Sequence, residues 1–287
     1  MYSAPFDYYA ATSVSEAIGL LGQHQDAKLL AGGHSLLPLM KLRLANPATL
    51  IDIGGVAELR GIQQQGNTLV IGALTTHRQI ESSSLLHAAC PILCEAAALI
   101  GDLQVRNRGT LGGSLSHADP AADMPAVMLA LGAEMTAVGP KGSRTIKADD
   151  LFTGLFTTAL AANEVLTQIT VPVMAQGQAG AYVKHPHPAS RYAVVGVAVV
   201  GSADGANVKG VRVGVTGASA HAYRARKVED AINGQTLNAS TIAAAAGHAA
   251  EGAAMLSDLT ASAEYRAHLV QVYTARALRK LDERLND

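Results

Sequence analysis

The sequence predicts an α+β protein made of two small α/β lobes followed by a C-terminal α+β domain. Two features of the first 175 residues point there: short apolar runs of strand length closed by glycine pairs, and helical stretches between them. A third lies beyond: after the small, flexible stretch Met174–Gly180, two apolar strand candidates come before two helices. The expected division is residues 1–55, 56–175 and 176–287, and a chain of 287 residues has room for such a body.

In the first segment the order reads strand, helix, strand, turn, helix, strand. Ser13-x-x-Glu16 has the form of a capping box opening a helix through Ala17, Ile18, Leu20 and Leu21. Lys28–Ala31 reads as a buried strand stopped at Gly32-Gly33. Ser35 then caps a helix whose first turn tolerates Pro38, and Leu50–Ile53 is a second buried strand. The second segment predicts a strand at Thr68–Ile71 and helices near Thr76–Ile80 and Pro91–Ile100. A Gly-rich loop at Gly109–Ser114 precedes a helix from about Asp123 to Leu131, and strands follow at Ala133–Val138 and Glu164–Val171. The last segment predicts strands at Val194–Val200 and Val208–Val215 and helices at Ser240–Ala253 and Ala263–Leu285. The final helix carries Leu269, Val272, Tyr273, Leu278 and Leu281 on one stripe. No internal repeat or low-complexity tract interrupts this order.

Composition narrows the functional classes. Charged residues are 16% of the chain against roughly 25% in an average soluble protein, so either the interior is large or other chains cover part of the surface. The net charge of −1 and scattered Lys and Arg leave no footprint for nucleic acid or anionic lipid. No apolar run reaches the ~18 residues of a membrane span, and the N-terminus lacks a signal pattern, so the expected compartment is the cytoplasm. Cys90 and Cys94 are too few for an iron–sulfur or structural zinc set and read as buried packing residues; no metal site is expected.

Two glycine-bearing segments carry the chemistry. In Ala31-Gly32-Gly33-His34-Ser35 the glycines permit positive φ and bring backbone N–H groups to an anion, with a helix N-terminus aimed at the same place. Arg108-Gly109-Thr110-Leu111-Gly112-Gly113-Ser114 is followed by His117, Asp119-Pro120 and Asp123, adding carboxylates suited to sugar hydroxyls. One segment from each lobe would enclose a pyrophosphate. Alone, each is more often an ordinary turn. Neither matches Gly-x-Gly-x-x-Gly or a nucleotide-triphosphate loop, which argues against a Rossmann dehydrogenase and a P-loop enzyme.

Order and context add more. Ala31–Ser35, then Leu-Leu-Pro-Leu-Met-Lys-Leu-Arg-Leu-Ala over 36–45, then Leu50–Ile53, resembles the FAD-binding medium subunit of the molybdenum hydroxylases, the carbon monoxide dehydrogenase and xanthine oxidase group. Thr110–Ser114 with Asp119-Pro120 and Asp123 resembles that family's second FAD segment, and the likeness spans essentially the whole chain. It implies a two-lobed FAD-binding fold of the p-cresol methylhydroxylase type plus a C-terminal domain of the carbon monoxide dehydrogenase flavoprotein type. It also implies FAD contacts from Leu30, Ala31, Gly32, Gly33, His34, Ser35 and Leu36, from Ile100, and from Thr110, Gly112, Gly113, Ser114 and His117. Asp119 and Asp123 would take FAD hydroxyls or order the segment, Tyr192 would stand near the isoalloxazine ring, and Lys184 would contribute from the same segment. Ser114 occupies a position usually held by Asn, and Lys184-His-Pro-His-Pro-Ala-Ser-Arg-Tyr192 replaces a basic run found in the carbon monoxide dehydrogenase type.

The resemblance further implies that substrate chemistry lies on a large molybdenum-cofactor subunit and that a small subunit carries two [2Fe–2S] clusters. The assembly would be a dimer of heterotrimers in which this chain, without catalytic residues of its own, passes electrons from FAD to an external acceptor. The alternative is a self-sufficient flavin oxidoreductase of the same fold. It would need an acid or base beside the flavin, for which Tyr192 and Lys184 are the candidates.

Overall fold

In the computed structural model, which describes residues 2–286, the chain opens with β1 (Asp7–Ala10), α1 (Val14–Gln23), β2 (Ala27–Leu30), α2 (Leu36–Lys41) and β3 (Thr49–Asp52). The strands form a parallel sheet in the order β1-β3-β2. Ser13 caps α1, accepting the Glu16 N–H at 3.1 Å. The expected reciprocal bond is displaced by one residue: the Glu16 carboxylate takes the N–H and hydroxyl of Thr12, each at 2.7 Å. Ala17 and Leu21 of α1 bury with Ile51 and Ile53 to make the small core of this lobe. Ser35 does not cap α2. Its backbone is already helical and its side chain bonds no N–H of the first turn.

The second unit continues with β4 (Ile62–Gln65), β5 (Thr68–Gly72), α3 (His77–Glu81), α4 (Ser84–Ala89), α5 (Pro91–Ala98), α6 (Leu103–Arg108), α7 (Leu111–His117) and α8 (Met124–Leu131). It then runs through β6 (Glu134–Gly139), β7 (Gly142–Lys147), α9 (Ala148–Leu151), β8 (Phe152–Gly154), β9 (Thr157–Thr158) and β10 (Val165–Pro172). An antiparallel sheet in the order β4-β5-β10-β6-β7 organises it. Thr76 and Gln79 form a full capping box at α3. The predicted loop at Gly109–Ser114 is instead the first turn of α7, with Thr110 as its cap. Every residue of α8 is buried, because it lies between this sheet and the next one.

The last unit comprises β11 (Gln178–Pro186), β12 (Ala193–Asp204), β13 (Asn207–Thr216), β14 (Tyr223–Arg224), α10 (Arg226–Ile232), α11 (Ala239–Ala246) and α12 (Ala263–Asn286). Its strands form an antiparallel sheet in sequence order. The helix expected over Ser240–Ala253 ends at Ala246, where Gly247 removes side-chain support and turns follow. In α12 the buried stripe is Leu269, Val270, Tyr273, Ala277, Leu278 and Leu281, so Val270 rather than Val272 faces the sheet. Tyr182, Ala198 and Val200 bury into the core built around α5 and α8. The third sheet is therefore packed onto the second unit without a solvent gap.

Candidate cofactor site between the lobes

The first glycine segment leaves β2 and enters α2 while touching the second lobe. An ideal Cβ on Gly32 would stand 2.0 Å from the carbonyl oxygen of Arg108, so only glycine lets the two backbones approach this closely. Gly33 follows at φ +73, a left-handed turn that side chains resist. Among the described residues, none of the backbone N–H groups of Gly32, Gly33, His34 and Ser35 finds an acceptor in the chain. Four consecutive unspent donors at a left-handed turn are available to an anion. His34 steadies the turn, its Nδ1–H donating to the Gly32 carbonyl at 2.9 Å while the ring lies exposed.

The second segment is built differently from the expected loop. The N–H groups of Leu111 and Gly112 donate to Thr75 and Ala73 carbonyls at 2.9 Å. Gly113 N–H donates to the Thr110 hydroxyl at 3.1 Å, and Ser114 N–H to the Thr110 carbonyl at 3.0 Å. These donors are spent on holding α7 against the second sheet. The Ser114 N–H is thus used within the helix, which leaves its hydroxyl as the polar group this residue can offer. The segment offers instead the small side of Gly113, set near Ala31.

Where the lobes meet there is a cavity of about 250 Å³ lined by Ala31, Gly32, Asp52, Gly54, Arg60, Leu74, Thr76, Asn107, Arg108 and Thr110. Asp52 fixes its floor, accepting the Gly54 N–H at 2.7 Å and the Tyr8 hydroxyl at 2.6 Å. Arg60 donates to the Gly54 carbonyl at 2.5 Å. Asp52, Arg60, Thr76 and Arg108 were not among the residues expected from sequence. The signal available for one of them was Asp52-x-Gly54 after a strand, an Asx-turn pattern that places a carboxylate at a strand end. Beneath Thr76 lies His77, whose imidazole is buried beside Gly109 with its Nδ1 unpaired among the described residues. Burial, with the Arg106 charge adding, holds its pKa down to about 4.

On the far side of the first turn, residues from three parts of the chain converge. The Ser35 hydroxyl lies beside the Tyr192 phenol, and burial followed by the Asp119 carboxylate raises that phenol above its ordinary range. Asp119 accepts the Ala121 N–H at 2.9 Å, and the turn it orders is held to the third sheet by Thr216, whose hydroxyl reaches the carbonyl of Pro120 at 2.8 Å. His117, at the end of α7, stacks obliquely on Phe156 with ring centres 5.2 Å apart. Burial lowers its pKa. Leu30 and Leu36 flank the first turn half-buried, and Ile100 lies just past α5.

Asp123 and Lys184 lie in a buried cluster at this end. Lys184 Nζ, its side chain 3% exposed, is 2.9 Å from the Asp123 carboxylate. It also donates to the carbonyls of Leu99 at 2.7 Å and Arg191 at 2.8 Å. The Tyr182 hydroxyl donates to Asp123 at 2.5 Å. Burial pushes the Asp123 carboxyl up, and the Lys184 ammonium and Tyr182 hydroxyl oppose it. Both cysteines are free and buried, and burial raises Cys90 to about 12 and Cys94 to about 11, as befits packing residues.

Comparison with known proteins agrees with this geometry. Residues 4–174 match the FAD binding domain in molybdopterin dehydrogenase, and residues 180–281 match the CO dehydrogenase flavoprotein C-terminal domain. The chain is 43% identical to the carbon monoxide dehydrogenase medium chain of Hydrogenophaga pseudoflava, over 95% of this chain and 96% of that one. It is 38% identical to the nicotine 6-hydroxylase medium subunit of Paenarthrobacter nicotinovorans, over 94% and 95%. A solved structure of the Hydrogenophaga pseudoflava carbon monoxide dehydrogenase, a form lacking the Mo-pyranopterin moiety, superposes with a TM-score of 0.97 at 44% identity, covering 99% of both chains. The chain belongs to the FAD-binding medium subunits of the molybdenum hydroxylases, and so to an oxidoreductase family in which it is one subunit and its cofactor is FAD.

Proposed function

We propose that this chain is the electron-transfer subunit of a heterotrimeric molybdenum hydroxylase, taking electrons from [2Fe–2S] clusters on a small partner subunit and handing them through FAD to an external acceptor. A large partner subunit would hold the molybdenum cofactor and carry out substrate chemistry, and two heterotrimers would pair. The observation that carries the reading is the run of unspent N–H groups over Gly32–Ser35, which begins at a residue lining an open cavity and ends at one beside Tyr192. FAD, when bound, supplies a junction between one-electron and two-electron transfer.

The residues present fit such a dinucleotide. Gly32–Ser35 seat the pyrophosphate, which the Arg60 and Arg108 cations at the cavity complement. Asp52, Thr76 and Thr110 would receive the adenosine half in the cavity, and Ile100, Asp119 and Tyr192 would line the flavin half. Leu30, Ala31, Leu36, Gly112, Gly113, Ser114 and His117 shape the walls between these ends. Asp123 and Lys184 act from behind, holding the segments that frame the flavin end. A boundary near residue 175 between the FAD-binding lobes and the C-terminal domain follows the change of sheet.

Lys184 is fully engaged by Asp123 and the carbonyls of Leu99 and Arg191, so it offers no free base at that end. This favours an electron relay over a self-sufficient flavin oxidoreductase. Purification of the native protein, with an absorption spectrum and subunit analysis of one fraction, tests the reading. One large and one small co-purifying chain, with flavin and iron–sulfur absorption together, is the expected result. A lone yellow chain that turns over a substrate unaided would overturn it.

A further inference from the structure

The segment between β11 and β12 brings Tyr192 to the site, and its shape is organised around one side chain. The N–H of His187 donates to the Tyr192 carbonyl at 2.7 Å, and the N–H of Arg191 returns a bond to the His187 carbonyl at 2.8 Å. Inside this ring of backbone the His187 Nδ1 accepts two further bonds, from the N–H groups of Ala189 and Ser190, each at 3.2 Å. An imidazole nitrogen that accepts from two amides carries its lone pair, so the ring proton resides on Nε2. Pro186 and Pro188 on either side fix φ and contribute no N–H donors, so the amides of Ala189 and Ser190 are the ones that turn inward to the imidazole. Arg191 is driven into a left-handed conformation at φ 60, which a side chain adopts only when its surroundings dictate it. Lys184 closes the arrangement from outside through the Arg191 carbonyl.

We propose that His187 is a positioning residue for the flavin end of the site: its Nδ1 holds the 187–192 turn in the one shape that sets Tyr192 beside Ser35. This rests on the reading that Tyr192 stands next to the flavin. The imidazole does in this loop what an Asn side chain does in an Asx turn, presenting an acceptor to amides two and three residues ahead. The consequence is specific. Removing the acceptor frees Tyr192, whereas Asn at this position supplies an oxygen near the place of Nδ1 and restores the turn.

The test uses the FAD-loaded protein with its partner chains, and compares wild type with His187→Ala, His187→Asn and Tyr192→Leu. The readouts are the visible flavin spectrum and amide exchange across 189–192. In His187→Ala, exchange protection at Ala189 and Ser190 falls roughly fivefold to tenfold, and the flavin bands move in the same direction as in Tyr192→Leu. FAD content stays at the wild-type level, because the pyrophosphate seat is on another segment. His187→Asn returns both readouts toward wild type. A flavin spectrum unmoved in His187→Ala but shifted in Tyr192→Leu would overturn the proposal. So would Asn and Ala variants that behave alike. A silent Tyr192→Leu would instead remove Tyr192 from the flavin, taking the proposal down with the reading beneath it.

Discussion

At the scale of single residues the site depends on where a side chain is missing. Gly32 has no room for even a methyl group against the Arg108 carbonyl, and the neighbour is backbone that cannot swing away. Gly32→Ala therefore has to part the two lobes at their seam, at a cost of roughly 1–3 kcal/mol for overpacking. Where that cost falls on the FAD-bound form, it is about fivefold to 150-fold in affinity. The expected outcome is a chain with wild-type circular dichroism and a flavin-to-protein ratio well below one after gel filtration. A ratio of one would place the seam elsewhere. Glycine pairs after a strand are visible in the sequence. Their reason differs between the two segments, and that difference was not visible. In the first they leave donors free, whereas in the second Thr110 and the Ala73 and Thr75 carbonyls consume them. Two of these partners, the Ala73 and Thr75 carbonyls, lie more than thirty residues away, where no local pattern encodes them.

At the scale of elements, the ends of helices and strands frame the site through one buried charge. Lys184 of β11 ties the last turn of α5, the start of α8 and the segment before β12 together through Leu99, Asp123 and Arg191. Asp123→Asn leaves that ammonium buried without its counter-charge, which costs about 3–5 kcal/mol. Urea denaturation should show a corresponding fall in midpoint, and pairing the change with Lys184→Met should recover much of it. Equal losses in the single and double variants would mean that the pair is not the source. Most of the strands and the longer helices were legible because apolar residues recur at their period, as in β12 and α12. Strand β7, with the sequence Gly-Ser-Arg-Thr-Ile-Lys, was not, since it is an edge strand with one buried residue. Strand β11 was hidden by its start among small residues and its finish at Pro186. The sequence leaves Asp123 open between a hydroxyl ligand and an ordering group, because its partners Tyr182 and Lys184 lie about sixty residues on.

For the whole molecule, the helices of the second unit enclose a titratable group whose charging opposes folding. His77 is neutral in the fold, its pKa held to about 4 by burial, while an unfolded histidine titrates near ~6.5. Because the folded value is the lower one, the unfolded chain binds the proton first. Stability is therefore full above about 6.5 and falls as pH drops toward 4, by about 3 kcal/mol at most. His77→Phe, which keeps a ring in the same place, should flatten this part of the pH profile measured by thermal unfolding. A slope between pH 6.5 and 4 equal to that of wild type would assign the acid sensitivity to other groups. The protein was identifiable from sequence at this scale because two long motifs occur in a fixed order. The cavity between them was not, because Asp52, Arg60 and Arg108 become neighbours only when the lobes close.

The most direct test of the account is a structure of the protein with FAD bound, at a resolution that places the phosphates. The account predicts the pyrophosphate on the N–H groups of Gly32 to Ser35, adenosine in the cavity over Asp52, and the isoalloxazine beside Tyr192. A pyrophosphate held by the first turn of α7, or a flavin ring remote from Tyr192, would contradict it.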